Sequence, residues 1–300
     1  MDNRRALFLA LLITAIIFGV ELVGGLLSNS LALLSDAGHM LTDTLALGLA
    51  LLAAFFAVRP ATKERTFGFY RLEILSALFN GVILSLISLY IFYEAYIRLL
   101  SPVAIKSDLM LAVAMIGLLA NIGAAVILAK SSRDNLNVKG AFLHIVSDAV
   151  SSVGVIVGGV LIHFLGWYYV DPILGFVIGV MILRGAIRLV FESVNILLEA
   201  APAGIDLHEV AATIKTVKGV EALHDLHIWT ITSGLHAISA HVVVAEAEIK
   251  RTAAIISEIN ALVKAKYQIT HATFQTECDS CPEGLLCYVE PVEKEHGHHH

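Results

Sequence analysis

Two short patterns place the same chemistry twice. His39-Met40-Leu41-Thr42-Asp43 and His144-Ile145-Val146-Ser147-Asp148 each separate a histidine from an aspartate by four positions. On a helix, residues four apart share one face and lie about one turn, roughly 5.4 Å, from each other. Two such faces turned toward each other offer two imidazole nitrogens and two carboxylate oxygens, a tetrahedral donor set suited to Zn2+. Both patterns fall inside long apolar stretches. A carboxylate at membrane depth costs about 2.5–3.5 kcal/mol on insertion scales, so ionisable residues there mark ion pathways. One copy alone also reads as hydrogen-bonded glue between helices; its recurrence on a second stretch favours a metal site. Ligation requires neutral imidazole and ionised carboxylate, so protons compete with metal. An ordinary histidine titrates at about pH 6.5, close to cytoplasmic pH. The pattern therefore predicts a membrane pathway in which Zn2+ is the transported substrate and is exchanged for protons. Asp36 lies three residues before His39 and either orients an imidazole or serves helix packing and metal access.

The elements that must position these residues are six apolar spans, at about 6–27, 31–58, 72–99, 108–130, 140–165 and 171–190. The chain is 57% hydrophobic and 15% charged, which excludes an ordinary soluble globule and points to a multi-pass membrane protein in contact with lipid. No basic stripe suggests nucleic acid as a partner. The first apolar run has no small-residue cleavage site after it and reads as a retained span. Asp171-Pro172 reads as the cap and first turn of the sixth span. Basic residues gather at Arg4 and Arg5, in the second and fourth loops, and at Arg184 and Arg188. The positive-inside rule then places both termini in the cytoplasm.

After Pro202 the pattern changes. Asp206 is placed to cap a helix at about 207–217. Strands follow at about 220–232 and 235–246, joined by a Ser233-Gly234 turn, then a helix at 249–267 and a strand at 269–277. The expected fold class is thus an all-α six-helix membrane bundle over residues 1–200 and a small α+β domain, order αββαβ, over 201–278. The polar remainder, 279–300, reads as a flexible tail containing Cys281, Cys287 and several histidines. So small a domain buries a limited core, and an open sheet edge or face predicts a homodimer. His224, His227, His236, His241 and His271 fall in this domain. His224 and His227 are an odd number apart, so on a regular strand they face opposite sides and share a site only across a bulge. A regulatory Zn2+ site here stands against the alternative of scattered surface histidines, with Cys278, Cys281 and Cys287 as optional thiolates. The terminal histidines read either as native or as an expression tag.

Two other function classes compete with a secondary transporter. A membrane-embedded metalloenzyme wants an activating Glu beside its ligands, as in His-Glu-x-x-His, and an open coordination position. Neither span supplies that Glu. A membrane-anchored metal sensor has no need of buried His-Asp pairs. The residue types therefore favour transport over enzyme activity.

The stretch Ser30-Leu31-Ala32-Leu33-Leu34-Ser35-Asp36-Ala37-Gly38-His39-Met40-Leu41-Thr42-Asp43 resembles the second span of the cation diffusion facilitators, in particular the bacterial zinc exporters. Asn135-Leu136-Asn137-Val138, Asp171-Pro172-Ile173-Leu174, His224-Asp225-Leu226-His227-Ile228-Trp229 and His271-Ala272-Thr273-Phe274-Gln275-Thr276-Glu277 are similar as well. The resemblance implies six membrane helices, a metallochaperone-like cytoplasmic domain that makes a homodimer, and Zn2+/H+ exchange by alternating access in a bacterial inner membrane. It implies a transport site at His39, Asp43, His144 and Asp148, with Cd2+ as a second substrate. It implies cytoplasmic ligands at His224 and His241, with Glu277 where some members have Asp and Gln275 where some have His. In the loop before the third span, where some members hold metal with His and Asp, this chain has Lys63, Glu64, Arg65 and Phe69.

Overall fold

The computed structural model describes residues 3–41, 62–129, 136–277 and 285. The chain divides into two compact units, Met1–Ser193 and Val194–His300.

The first unit is helical. α1 (Asn3–Ser28) leads through a tight turn to α2, described over 31–41. α3 (Arg71–Leu100), α4 (Ser107–Ala129), α5 (Leu136–Leu165) and α6 (Val170–Leu197) follow. Among the described residues, α3 to α6 are each long and apolar enough to cross a membrane, and α1 contributes a shorter apolar run, Leu12–Ser28. Large apolar side chains cover their outer faces, among them Phe79, Leu86, Val126, Val150 and Met181. Several polar residues within the apolar stretches turn inward: Glu21, Asp36, Asn80, Asn121 and Asp148 are all buried. That inversion is what a hydrocarbon solvent imposes. α4 packs against both α1 and α5. A second packing group joins Leu31 of α2 to Leu84, Ile91 and Ala95 of α3 and to Ile182 and Ala186 of α6. α2 crosses α6 closely at Gly175, where a Cβ would stand 2.9 Å from Leu31 Cγ. His163 lies near the end of α5, exposed and 2.9 Å from Asp108.

The second unit has the order αββαβ. α7 (Leu207–Ile214) begins at Asp206, whose carboxylate accepts the amides of His208 (2.7 Å) and Glu209 (3.2 Å). This satisfies two donors that a helix start leaves open. β1 (Val220–Thr232) pairs antiparallel with β2 (Leu235–Val244), and β3 (His271–Glu277) pairs parallel with β2 through the crossover helix α8 (Thr252–Tyr267). Four ends differ from the sequence reading, two of them because α7 stops at Ile214 and β2 at Val244. Residues Glu246–Arg251 wind as 3-10 turns, which delays α8 to Thr252. Gln268 closes α8 in the left-handed region (φ 58°), so the last strand starts at His271. One core joins Val210 and Ile214 of α7, Ile255, Ile259 and Val263 of α8, and Leu226, Ile228, Ile238, Ala240 and Val242 of the sheet. Both helices therefore cover one sheet face, and the other carries His224, His227, His241 and His271. Leu285 also packs on this core, and its carbonyl accepts the Leu226 amide at 3.0 Å.

Candidate metal centres

In the membrane unit, α2 and α5 bring His39 and Asp148 together. His39 Nε2 lies 3.7 Å from Asp148 Oδ1, with Asp148 buried and His39 one-third exposed (34%). That exposure matters because it opens the imidazole to a cavity. His39 lines a cavity of about 340 Å3 that runs along α6 from Met181 past Arg188 to Glu192. It also lines a second cavity, of about 220 Å3, between α5 and α6, with Ser147 and Ser151 in its wall. His144 stands one turn before Asp148 on the α5 backbone. Asp43 lies outside the described residues. Asp36 is tied to α5: its Oδ1 accepts Ser151 Oγ at 2.6 Å. This bond runs across the helix pair and holds α2 against α5 near the His39–Asp148 contact. Ser35 spends its hydroxyl on the Leu31 carbonyl at 2.8 Å, a helix-backbone contact.

Two residues acquire roles that sequence spacing passed over. Glu21 of α1 is buried against Gly117 of α4. Asp171 was expected to cap its own helix. Its carboxylate instead reaches the start of α2, where Oδ2 accepts the Leu31 amide at 2.7 Å and Oδ1 accepts the Ala32 amide at 3.1 Å and Ser30 Oγ at 2.6 Å. The reason is that Asp171 already lies within α6, which begins at Val170, while the α2 amides have no carbonyls behind them. An Asp-Pro pair at a helix start gives no sign of which helix the carboxylate serves.

The second unit holds the more complete cluster. His224 faces His241 across β1 and β2, with ring centroids 5.1 Å apart. Glu277, at the end of β3, spans both: Oε2 is 3.1 Å from His224 Nε2, and Oε1 is 2.9 Å from His241 Nδ1. One ligand atom from each of the three lies within 4.8 Å of the others, close enough to hold one metal ion. Gln275 donates to Glu277 Oε1 at 2.9 Å and steadies the carboxylate. The bulge required to bring His227 to this face is present. Pairing jumps from His224↔His241 to His227↔Ser239, and Asp225 takes φ 49° in between. His227 thus shares the face of His224, with its Nε2 3.0 Å from Asp225 Oδ1, while Asp225 Oδ2 is 3.7 Å from His241 Nε2. His236 stands apart, 3.1 Å from Thr230 Oγ1, and burial lowers its pKa below the ordinary histidine value. His271 lies at the opposite end of β3 from Glu277. Cys278, Cys281 and Cys287, like the terminal histidines, lie outside the described residues.

Comparison with known proteins covers both units. Residues 7–198 match the cation efflux transmembrane domain, and residues 202–278 match the cation efflux protein cytoplasmic domain. The chain is 44% identical over 281 residues to the metal cation efflux system protein CzcD of Cupriavidus metallidurans, covering 94% of this chain and 89% of that one. It is 40% identical over 303 residues to the cadmium, cobalt and zinc/H(+)-K(+) antiporter of Bacillus subtilis, covering 99% and 97%. It is 40% identical over 301 residues to the zinc transporter ZitB of Escherichia coli, covering 100% and 95%. With both family domains matched in order and full-length likeness at this level, the chain belongs to the cation efflux family.

Proposed function

We propose that this protein exports Zn2+, and Cd2+ as a second substrate, from the cytoplasm in exchange for protons. The observation that carries the reading is the His39–Asp148 contact, a metal-competent pair contributed by two helices inside an apolar bundle and reached by a cavity. In this reading Asp43 and His144 complete four ligands to the transported ion. His39 and Asp148 are then each occupied by metal in one half of the cycle and by protons in the other, because the same lone pairs take either. The cavity running from Glu192 to His39 serves as the cytoplasmic access route, and alternating access closes it once the ion is bound. The relatives named as zinc transporter and as cadmium, cobalt and zinc antiporter support the substrate class.

The membrane domain in this reading spans 1–200 and the cytoplasmic domain 201–278, with 279–300 as its tail. The protein works as a homodimer joined through the cytoplasmic domain, in a bacterial inner membrane, with both termini cytoplasmic. The basic loops support that orientation. His224, His241 and Glu277 form a cytoplasmic site whose Zn2+ regulates transport, supported by their mutual distances.

The test is Zn2+ flux in sealed proteoliposomes under an imposed pH gradient. Native protein should drive flux that follows the gradient, and Asp43→Ala and Asp148→Ala should abolish it while remaining folded. Gradient-driven flux at the native rate in Asp148→Ala would overturn the site assignment. Zn2+ binding by native protein without flux would instead favour a sensor.

A further inference from the structure

At one end of the membrane unit a single carboxylate fastens three helices. Asp171, in the first turn of α6, is fully buried. Three donors from the start of α2 converge on its two oxygens: Ser30 Oγ, the Leu31 amide and the Ala32 amide. Arg98, in the last turn of α3, stands behind them with Nη1 3.6 Å from Asp171 Oδ2. Arg98 Nη1 also donates to the Asn29 carbonyl (2.6 Å), Nη2 to Asn29 Oδ1 (3.2 Å), and Nε to Glu94 Oε1 (2.9 Å). Asn29 holds the turn between α1 and α2 in the left-handed region at φ 61°. Ser30 Oγ additionally accepts the Leu33 amide at 3.2 Å. The first turn of α2 is therefore capped twice, once by its own serine and once by another helix.

This cap sits on the helix that carries His39. His39 is eight residues beyond Leu31, about 12 Å along the axis at 1.5 Å per residue. A helix is stiff over that length, so a change at its start is transmitted to His39. A slip of one residue moves the imidazole about 1.5 Å along the axis and turns it about 100°. Metal coordination tolerates only about 0.2 Å in ligand distance. The donors at Asp171 admit no such slip: two successive amides and one hydroxyl each meet a specific oxygen. A neutral amide would not replace the carboxylate, because its NH2 would face a backbone N–H or the guanidinium.

We propose that Asp171 is a positioning residue for the transport site. By capping α2 from α6 it sets the height and rotation at which His39 meets Asp148. The proposal rests on the reading of His39 and Asp148 as metal ligands. Its carboxylate touches no metal, and its effect passes through α2.

The experiment compares the Zn2+ dependence of flux in proteoliposomes for native protein, Asp171→Asn, Ser30→Ala and His39→Ala, each checked for folding by circular dichroism and gel filtration. Losing one hydrogen bond to a charged group is worth about tenfold or more in an equilibrium constant, which metal binding must offset to hold α2 in place. Asp171→Asn should therefore raise the half-saturating Zn2+ concentration about tenfold or more. A residue needed only for folding would lower the maximal rate and leave half-saturation unchanged, and that result would overturn the proposal. Should Asp171→Asn fail to fold, Ser30→Ala decides: it removes one donor, keeps both amides, and should raise half-saturation about threefold. Unchanged half-saturation in Ser30→Ala, with Asp171→Asn unfolded, would also overturn it. His39→Ala separates the two readings. If it transports like the native protein, the ligand assignment fails. If it is inactive while Asp171→Asn keeps native half-saturation, only the positioning role fails.

Discussion

Replacing Glu277 by Gln should nearly abolish the stabilisation of the second unit by Zn2+ while leaving the metal-free protein almost unchanged. Glu277 uses one oxygen for His224 and the other for His241 and Gln275. Gln preserves the shape and one carbonyl oxygen, so the metal-free cost is the loss of one partly exposed hydrogen bond, about 1 kcal/mol. The metal-bound cost is larger, because a dication loses its anionic ligand of three. Outer-shell partners alone are worth about 10–100-fold in affinity, so a direct ligand should cost at least about 100-fold. At a Zn2+ concentration of about 100 times the native Kd, binding stabilises the native fold by about 2.7 kcal/mol, but a variant with a 100-fold weaker site gains only about 0.4 kcal/mol. The difference of about 2.3 kcal/mol corresponds to roughly 9–18 °C in Tm for a domain of this size. The assay is thermal unfolding followed by tryptophan fluorescence. The chain has two tryptophans, Trp167 between α5 and α6 and Trp229 on β1. A Trp167→Phe background isolates the β1 signal, with melts recorded in chelator and in buffered Zn2+. If Zn2+ raises the Tm of Glu277→Gln as far as that of the native protein, Glu277 is not a ligand, and the contacts it makes are only hydrogen bonds between strands.

Two further outcomes test the second unit. Burial lowers His236 below its ordinary pKa of about 6.5, so the folded state binds fewer protons than the unfolded chain just below that value. By linkage, its contribution to stability is complete above about pH 6.5 and declines as pH falls toward the lowered folded value. His236→Gln should flatten the fall in urea midpoint between pH 7.5 and 5, and an unchanged slope would refute the effect. Gly219 enters β1 at φ 98°, and a Cβ there would stand 2.8 Å from Ile255 Cδ1 in the core. Gly219→Ala should cost about 1–3 kcal/mol from backbone strain, more if Ile255 cannot move, read as a lower Tm of the second unit; an unchanged Tm would contradict it.

Local rules made much of this protein legible. Apolar spans are long because a bilayer is thick, and the four-residue His-Asp spacing is meaningful because a helix repeats every 3.6 residues. Strand parity restricted His224 and His227 to a shared face only across a bulge, and Asp206 announced the start of α7 because a short acceptor before a helix has free amides to meet. None of this depends on distant partners. Other features depend on them entirely. The bulge at Asp225 is stabilised by what lies beside it, including the Leu285 carbonyl that takes the Leu226 amide. Glu277, to which the family resemblance already pointed, meets both histidines because β3 runs parallel to β2 with Gln275 opposite His241 and Glu277 opposite Val243. Asp171 reaches α2 from a position 140 residues later in the chain than Leu31. Sequence by itself determined which residue types sit on which local face, since helical and strand periodicity are properties of short segments. Only tertiary structure decided which faces meet, because the donors and acceptors that complete each polar cluster come from chain segments whose separation in sequence carries no signal of their contact.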